Sequence, residues 1–324
     1  MCAASPQTAV LIGRFQPPHL AHLALMQQAL TLAPELVVVL GSAHHARTPK
    51  NPLSDSERAR LIREMLHGAG VDPARLRTVE VPDFFYNLPL WVEYVRRAVG
   101  TRRAVLCGFE KDASSFYLKL FPEWQFAATS EDGREPGEVG LRLPYPSAAQ
   151  SFPGLSATTI REAMYRRDWG SVAAAVPATV CATLLDFSKT REFEDLLLDR
   201  EAVMRLAAGG PIRDEAAVVV ANGSVLLQTR MERPGLGLWC LPASEALATA
   251  PELHGQQAVR ERLLDHPDRL PGVDWTTLAR LFLLPQPFFP AAGSAWVPLD
   301  ALHSQPQRFF ADHAQAIWAL LEQW

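Results

Sequence analysis

The sequence predicts an α/β fold in its first half, built on a parallel sheet, followed by a smaller α+β domain. Two observations carry this. Short apolar runs alternate with amphipathic stretches from Ala9 to Ala128, and after Pro177 the alternation gives way to a helical stretch and an Asn222-Gly223 hairpin signal. Strands that alternate with helices form parallel sheets buried on both faces. Such sheets bind ligands at the carboxyl ends of their strands. With 324 residues, the chain can form two domains that each bury a core. The expected boundaries are 1–188 for the first domain, 189–211 for a linker helix and 212–324 for the second.

In chain order, strands are expected over Ala9–Ile12, Leu36–Leu40, Leu76–Val81, Ala104–Cys107 and Gln125–Ala128. The helical patterns between them are Ala21–Leu32, Glu57–Met65 and Trp91–Val99. Ser54 with Glu57 forms a capping box that opens the second helix. In the second half, Lys189–Ala207 reads as a helix ended by Gly209-Gly210-Pro211. Ala216–Arg230 then reads as two strands about Asn222-Gly223, because both central residues of a tight type I′ turn need positive φ. Leu281–Leu284 and Ala295–Val297 look like strands, and Ala311–Trp324 like a terminal amphipathic helix.

Hydrophobic residues make up 48% and charged residues 20%, an ordinary globular composition. A net charge of -4 gives no general reason to expect nucleic acid or an anionic membrane as partner. Phosphate binding must then be local, through a few well-placed basic side chains. Cys2, Cys107, Cys181 and Cys240 lie far apart and without metal-ligand spacing, which suits reduced thiols. The N-terminus lacks the pattern of a signal peptide, and no apolar run is long enough to span a bilayer. A soluble, cytoplasmic protein is expected. Association into a homo-oligomer stays open.

The chemistry concentrates after the first strand, in Gly13-Arg14-Phe15-Gln16-Pro17-Pro18-His19-Leu20-Ala21-His22. Gly13 is placed where a nucleotide could approach the backbone closely. His19 and His22 stand at a helix start, whose free N–H groups and positive partial charge favour a phosphate. Their spacing puts both rings on one face. A second block, Ser156-Ala157-Thr158-Thr159-Ile160-Arg161, combines hydroxyls, a helix start and a guanidinium that can hold two phosphate oxygens at once. Alone it is a helix N-cap with an arginine. Paired with the first block, it suggests two phosphate cradles at opposite ends of one domain, as a triphosphate cleaved at its α–β bond would need.

These blocks resemble the HxGH and ISTTxIR motifs of a nucleotidyltransferase superfamily with a Rossmann-like fold. The stretches 41–52, 85–91 and 108–121 resemble its NMN adenylyltransferase branch, especially bacterial members fused to a Nudix domain. The resemblance covers about residues 8–176, with Ala21 where the family has glycine. It implies that Arg14, His19, His22 and Arg161 bind the ATP phosphates and stabilise the transition state. It further implies substrate contacts from Gly13, Phe15, Gln16, Arg47, Lys50, Asn87, Gly108, Asp112, Ser156 and Thr158, with Trp91 stacking on the nicotinamide ring. Mg²⁺ would arrive with ATP, and no protein metal ligand is expected.

In the second half, 226–242, 296–302 and 309–313 resemble Nudix segments, but the metal-binding helix is degenerate. Ala243-Ser244 replaces the glycines, and Arg260-Glu261 survives without the following Glu-Glu pair. Leu264–Arg269 looks like a later segment, so a deletion in the catalytic helix is the simplest account. Glu261 and Asp265 are then the only acidic candidates, too few to hold Mg²⁺ for hydrolysis. Nicotinate mononucleotide as substrate, and a nucleotide-sensing role for the whole chain, remain alternatives to NMN adenylylation.

Overall fold

The structure, a computed structural model, describes residues 6–110, 119–130, 140–141, 152, 154–243, 253 and 255–321. The described chain forms two compact units. The first comprises residues 1–44, 50–83 and 89–193, and the second comprises 45–49, 84–88 and 194–324.

The first unit is built on strands β1 (Thr8–Gly13), β2 (Glu35–Leu40), β3 (Leu76–Glu80), β4 (Ala104–Glu110), β5 (Gln125–Ser130) and β6 (Gly140–Leu141). All pairs are parallel, in the order β3-β2-β1-β4-β5-β6. Helices α1 (Leu20–Leu32), α2 (Asp55–Gly68) and α3 (Leu88–Val99) supply the crossovers. Alternate side chains of each strand enter opposite cores. Ala9, Leu11, Leu36 and Val38 pack with Met26 of α1 and Ile62 of α2, while Val10, Val37 and Val39 pack with Val92 and Val95 of α3. This double coverage explains why the strands read as continuous apolar runs. The strand order reverses at β1, so the crevice at the carboxyl ends of β1 and β4 is the expected ligand position.

Ser54 caps α2 as expected, accepting from the Glu57 N–H while the Glu57 carboxylate accepts from the Ser54 N–H. Three helices follow the sheet, α4 (Ala157–Tyr165), α5 (Trp169–Ala175) and α6 (Ala178–Phe187). Then comes α7 (Arg191–Ala208), the helix expected from Lys189 onward.

The second unit holds a mixed sheet of β7 (Ile212–Ala221), β8 (Ser224–Thr229), β9 (Trp239–Cys240), β10 (Arg260–Leu264), β11 (Trp275–Leu284) and β12 (Ser294–Pro298). Its order is β10-β11-β7-β8-β12, with β9 paired to β8. Asn222 and Gly223 both take positive φ in the β7–β8 turn, as the hairpin signal required. After the short α8 (Ala301–Ser304), α9 (His313–Leu321) buries Ala316, Ile317 and Leu320 against Val218, Val225 and Leu281.

One expectation fails here. Arg260-Glu261 does not begin a catalytic helix; it opens β10, antiparallel to β11. Glu261 faces solvent and pairs with Arg280 at 2.7 Å, and Arg260 donates to the Leu320 carbonyl. Along β10 burial alternates, with Leu264 buried and Leu263 exposed, which is strand periodicity. No helix among the described residues is long and apolar enough to cross a membrane.

Candidate functional site

At the carboxyl end of β1 the chain leaves the sheet through Gly13 and turns at Phe15, which takes a positive φ of 51°. The Phe15 ring is buried and meets the edge of the His22 ring at 4.8 Å between centroids. A Cβ on Gly13 would lie 3.1 Å from this ring, so the missing side chain makes room for Phe15. That is a packing reason for Gly13, different from the nucleotide approach expected of it.

Gln16 also receives a different task. Its amide donates to the Leu53 carbonyl at 2.8 Å and accepts from the Leu53 N–H at 2.9 Å. With both ends of its side chain engaged and only 2% exposed, it braces the loop instead of reaching for a substrate.

His19 is the N-cap of α1, and its ring stacks on that of His22 at 3.6 Å between centroids. The His19 N–H donates to Nδ1 of His22 at 3.3 Å, which leaves the His22 proton on Nε2. Burial lowers the His19 pKa from 6.5 to about 4, while burial and then the charge of His19 depress that of His22. Both rings are therefore neutral near pH 7, and the cations of the site are arginines.

The lowered value has a stability consequence. Between 6.5 and about 4 the unfolded chain takes up the His19 proton while the folded chain does not. This contribution is fully present above 6.5 and is lost as the pH falls to about 4. Denaturant titrations across that window should show a smaller loss for His19→Gln than for the wild type. Equal losses would count against a buried neutral His19.

The second block arrives through α4. Ser156 caps it by accepting from the Thr159 N–H at 3.2 Å. Arg161, 9% exposed, donates from Nη1 to the Gln16 carbonyl at 2.8 Å and from Nη2 to the Thr158 hydroxyl at 3.2 Å. The two motifs, 145 residues apart in the chain, thus meet beyond the carboxyl end of β1 rather than at opposite ends of the domain. Burial lowers the Arg161 pKa, and the charge of the exposed Arg14 lowers it further. Two guanidinium groups that repel each other beside two neutral imidazoles and two helix starts form a site that an anion would stabilise.

The other expected positions are spread more widely. Lys50 lies in the loop between β2 and α2, and Gly108 lies in β4. Trp91 is half-buried in the first turn of α3, packed beside Val92 and Val95 and 6.1 Å from the Phe121 ring. Arg47 and Asn87 fall in segments 45–49 and 84–88, which belong to the second unit. Asp112 lies outside the described residues.

A group that the sequence did not single out sits beside the first loop. Arg58 of α2 is fully buried and donates to backbone carbonyls of Arg14, Gly41 and Ser42. Its charge partner is Asp55 at 2.6 Å. The Asp55 carboxyl is pulled upward by burial but held down to about 2 by hydrogen bonds from His44 and Arg58. The signal was present in the spacing, since Arg58 shares the buried face of α2 with Leu61, Ile62 and Met65. His44, Asp55 and Glu80 bring one potential metal-ligand atom each within 4.8 Å. The His44 imidazole is already paired there, 3.2 Å from Asp55 and 3.7 Å from Glu80.

Residues 10–107 match the family described as Cytidylyltransferase-like. The chain is similar to the nicotinamide/nicotinic acid mononucleotide adenylyltransferase of Acinetobacter baylyi, 45% identical over 120 residues, which are 36% of this chain and 62% of that protein. It is also similar to the nicotinamide-nucleotide adenylyltransferase of Aeropyrum pernix, 37% identical over 119 residues, 37% of this chain and 66% of that protein. The matched stretch spans less than two thirds of either relative. Over 98% of this chain and 99% of the other, the fold matches a bifunctional NMN adenylyltransferase/ADP ribose pyrophosphatase from Francisella tularensis, with a TM-score of 0.78 and 23% identity. That protein has also been solved with AMP and manganese. The shared fold is an α/β unit on a parallel sheet followed by a unit on a mixed sheet.

Proposed function

We propose that the chain is a cytoplasmic nicotinamide-nucleotide adenylyltransferase, forming NAD and pyrophosphate from NMN and ATP. The observation that carries this is the bond from Arg161 to the Gln16 carbonyl, which brings Arg161 to the loop of Arg14, His19 and His22 beyond the carboxyl end of β1. No nucleophile from the protein is needed. A phosphate oxygen of NMN attacks the α-phosphorus of ATP in line, the new P–O bond forms, and the bond to the β-phosphate oxygen breaks with its electron pair on pyrophosphate.

Transfers of this kind require alignment and charge neutralisation more than covalent help. Arg14 and Arg161 supply the charge, while His22 Nε2–H and the start of α1 supply neutral donors aimed at phosphate oxygens. Trp91 and Asn87 are proposed to receive the nicotinamide, Arg47 and Lys50 a phosphate, and Gly108 and Asp112 the adenosine end. Ser156 and Thr158 complete the α4 cradle. A divalent cation, Mg²⁺, is proposed to enter as part of the ATP substrate.

The deciding assay is NAD formation by the purified chain from ATP, NMN and Mg²⁺. Absence of product from a folded sample would overturn the reading. Nicotinate mononucleotide belongs in a parallel reaction, because the Acinetobacter baylyi relative is named for both mononucleotides.

For the second unit we propose no diphosphate hydrolysis. Glu261 is committed to Arg280 on a strand, and Asp265 is exposed, so neither contributes to a carboxylate cluster on a helix. Incubation with ADP-ribose and Mg²⁺ or Mn²⁺ should release no AMP above background. Robust metal-dependent turnover would refute this.

A further inference from the structure

We infer that Arg58 is a positioning residue for adenylyl transfer, holding the loops after β1 and β2 in the shape the phosphate site requires. This rests on the transferase reading. Arg58 lies on the core face of α2 and is 0% exposed. Burying a guanidinium is costly unless its donors are engaged. Here Nη1 donates to the Arg14 carbonyl at 2.6 Å and the Gly41 carbonyl at 2.8 Å, and Nη2 to the Ser42 carbonyl at 3.3 Å and the Asp55 carboxylate at 2.6 Å. Three of the four acceptors are backbone groups just beyond the ends of neighbouring strands β1 and β2.

The grip sets peptide orientation. In a trans peptide the C=O and the following N–H point in opposite directions. Turning the Arg14 carbonyl toward Arg58 therefore turns the Phe15 N–H away from it, as a donor from the loop that carries Arg14 and leads to His19. The opposite faces of the other two peptides are fixed as well, since the Ser42 N–H donates to Asp83 and the Ala43 N–H to Val81. Phe15 and Ser42 hold positive φ of 51° and 48°, which non-glycine residues keep only when their surroundings enforce it. Arg58 bonds the carbonyl immediately before Phe15 and the carbonyl of Ser42 itself, so it is placed to enforce both.

The planar fork matters as much as the charge. A lysine ammonium is a single donor centre and cannot span the Arg14, Gly41 and Ser42 carbonyls with two nitrogens. Asp55, steadied in turn by His44, keeps the buried charge paired without touching the loop carbonyls.

Arg58→Lys and Arg58→Met test this beside Arg60→Ala, a control on the exposed side of the same helix where Arg60 pairs with Glu64. Both Arg58 variants are expected to lower kcat by about 10- to 100-fold, the scale for reacting groups displaced by an ångström, with KM for NMN changed far less. Arg58→Lys should retain more activity than Arg58→Met, and Arg60→Ala should match the wild type. Calorimetric titration with ATP should show weaker binding in both Arg58 variants.

If Arg58→Met fails to fold, Arg58→Lys decides by the same criteria. A folded Arg58 variant with wild-type kcat and ATP affinity, however low its Tm, would reduce Arg58 to a stability role and overturn the inference while leaving the transferase reading intact. Should the wild type form no dinucleotide, the titration decides: equal ATP affinity in wild type and Arg58→Lys overturns the inference, and weaker binding in the variant supports it. A wild type that neither turns over nor binds ATP overturns both.

Discussion

Arg161→Lys will lower kcat for NAD formation by about 10²- to 10³-fold, the loss seen when one preorganised transition-state donor is removed. The charge survives this substitution, so the loss isolates geometry. Two nitrogens of the Arg161 guanidinium are already oriented, one on the Gln16 carbonyl and one on the Thr158 hydroxyl. That fixes the plane of the group and the direction of its remaining N–H bonds before any nucleotide arrives. Lysine has no such plane and would have to choose between the two anchors and a phosphate oxygen.

The fall should appear in kcat and kcat/KM together, because an interaction that strengthens as charge develops on the leaving pyrophosphate acts on the transition state. Arg161→Ala removes the charge as well and should be slower still. Turnover by Arg161→Lys within about threefold of wild type, far less than a preorganised donor should contribute, would show that the guanidinium only staples α4 to the Gln16 loop.

Much of this site was legible in the sequence because its signals are local. The apolar runs gave β1 and β2 to within a residue at each end, since a strand buried on both faces needs no pattern beyond its apolarity. Ser54 with Glu57 and Ser156 with Thr159 are caps, which depend on residues three apart. What the sequence hid depends on contacts distant along the chain. Gln16 looks like a substrate donor until Leu53 engages both ends of its amide.

Arg58 shares the spacing of Leu61, Ile62 and Met65 on α2, but the carbonyls that make its burial tolerable belong to residues 14, 41 and 42, far from it in the chain. The dipeptide Arg260-Glu261 matches a helix fragment, and the run Arg260–Leu264 carries no alternation of polar and apolar residues that would announce a strand. The strand period shows only in the burial, with Leu264 inside and Leu263 outside. Segment 84–88 clusters with the second unit because the Tyr86 hydroxyl donates to Asp312 and the Phe85 ring stacks on His266, contacts too distant along the chain for a local pattern to announce.

Asp312→Ala is expected to cost the second unit about 3–5 kcal/mol, the usual penalty for stripping one partner from a buried ion pair. Asp312 and Arg269 are 0% and 3% exposed and meet at 3.3 Å. The Arg269 guanidinium also donates to the Leu264 carbonyl and the Thr277 hydroxyl and lies 4.2 Å over the Trp275 ring, so it cannot swing out to water when its carboxylate is removed. Tyr86 of segment 84–88 loses its acceptor in the same substitution.

The cost should therefore come from the stranded cation more than from the lost attraction, and a double variant separates the two. Asp312→Leu with Arg269→Met replaces both charges by apolar groups of similar bulk and should be less destabilised than Asp312→Ala alone. Chemical denaturation of the full chain measures both. A single variant within about 1 kcal/mol of wild type would mean the pair is well screened. A double variant worse than the single would mean the ions earn their place by their mutual attraction, which is the opposite balance from the one burial predicts.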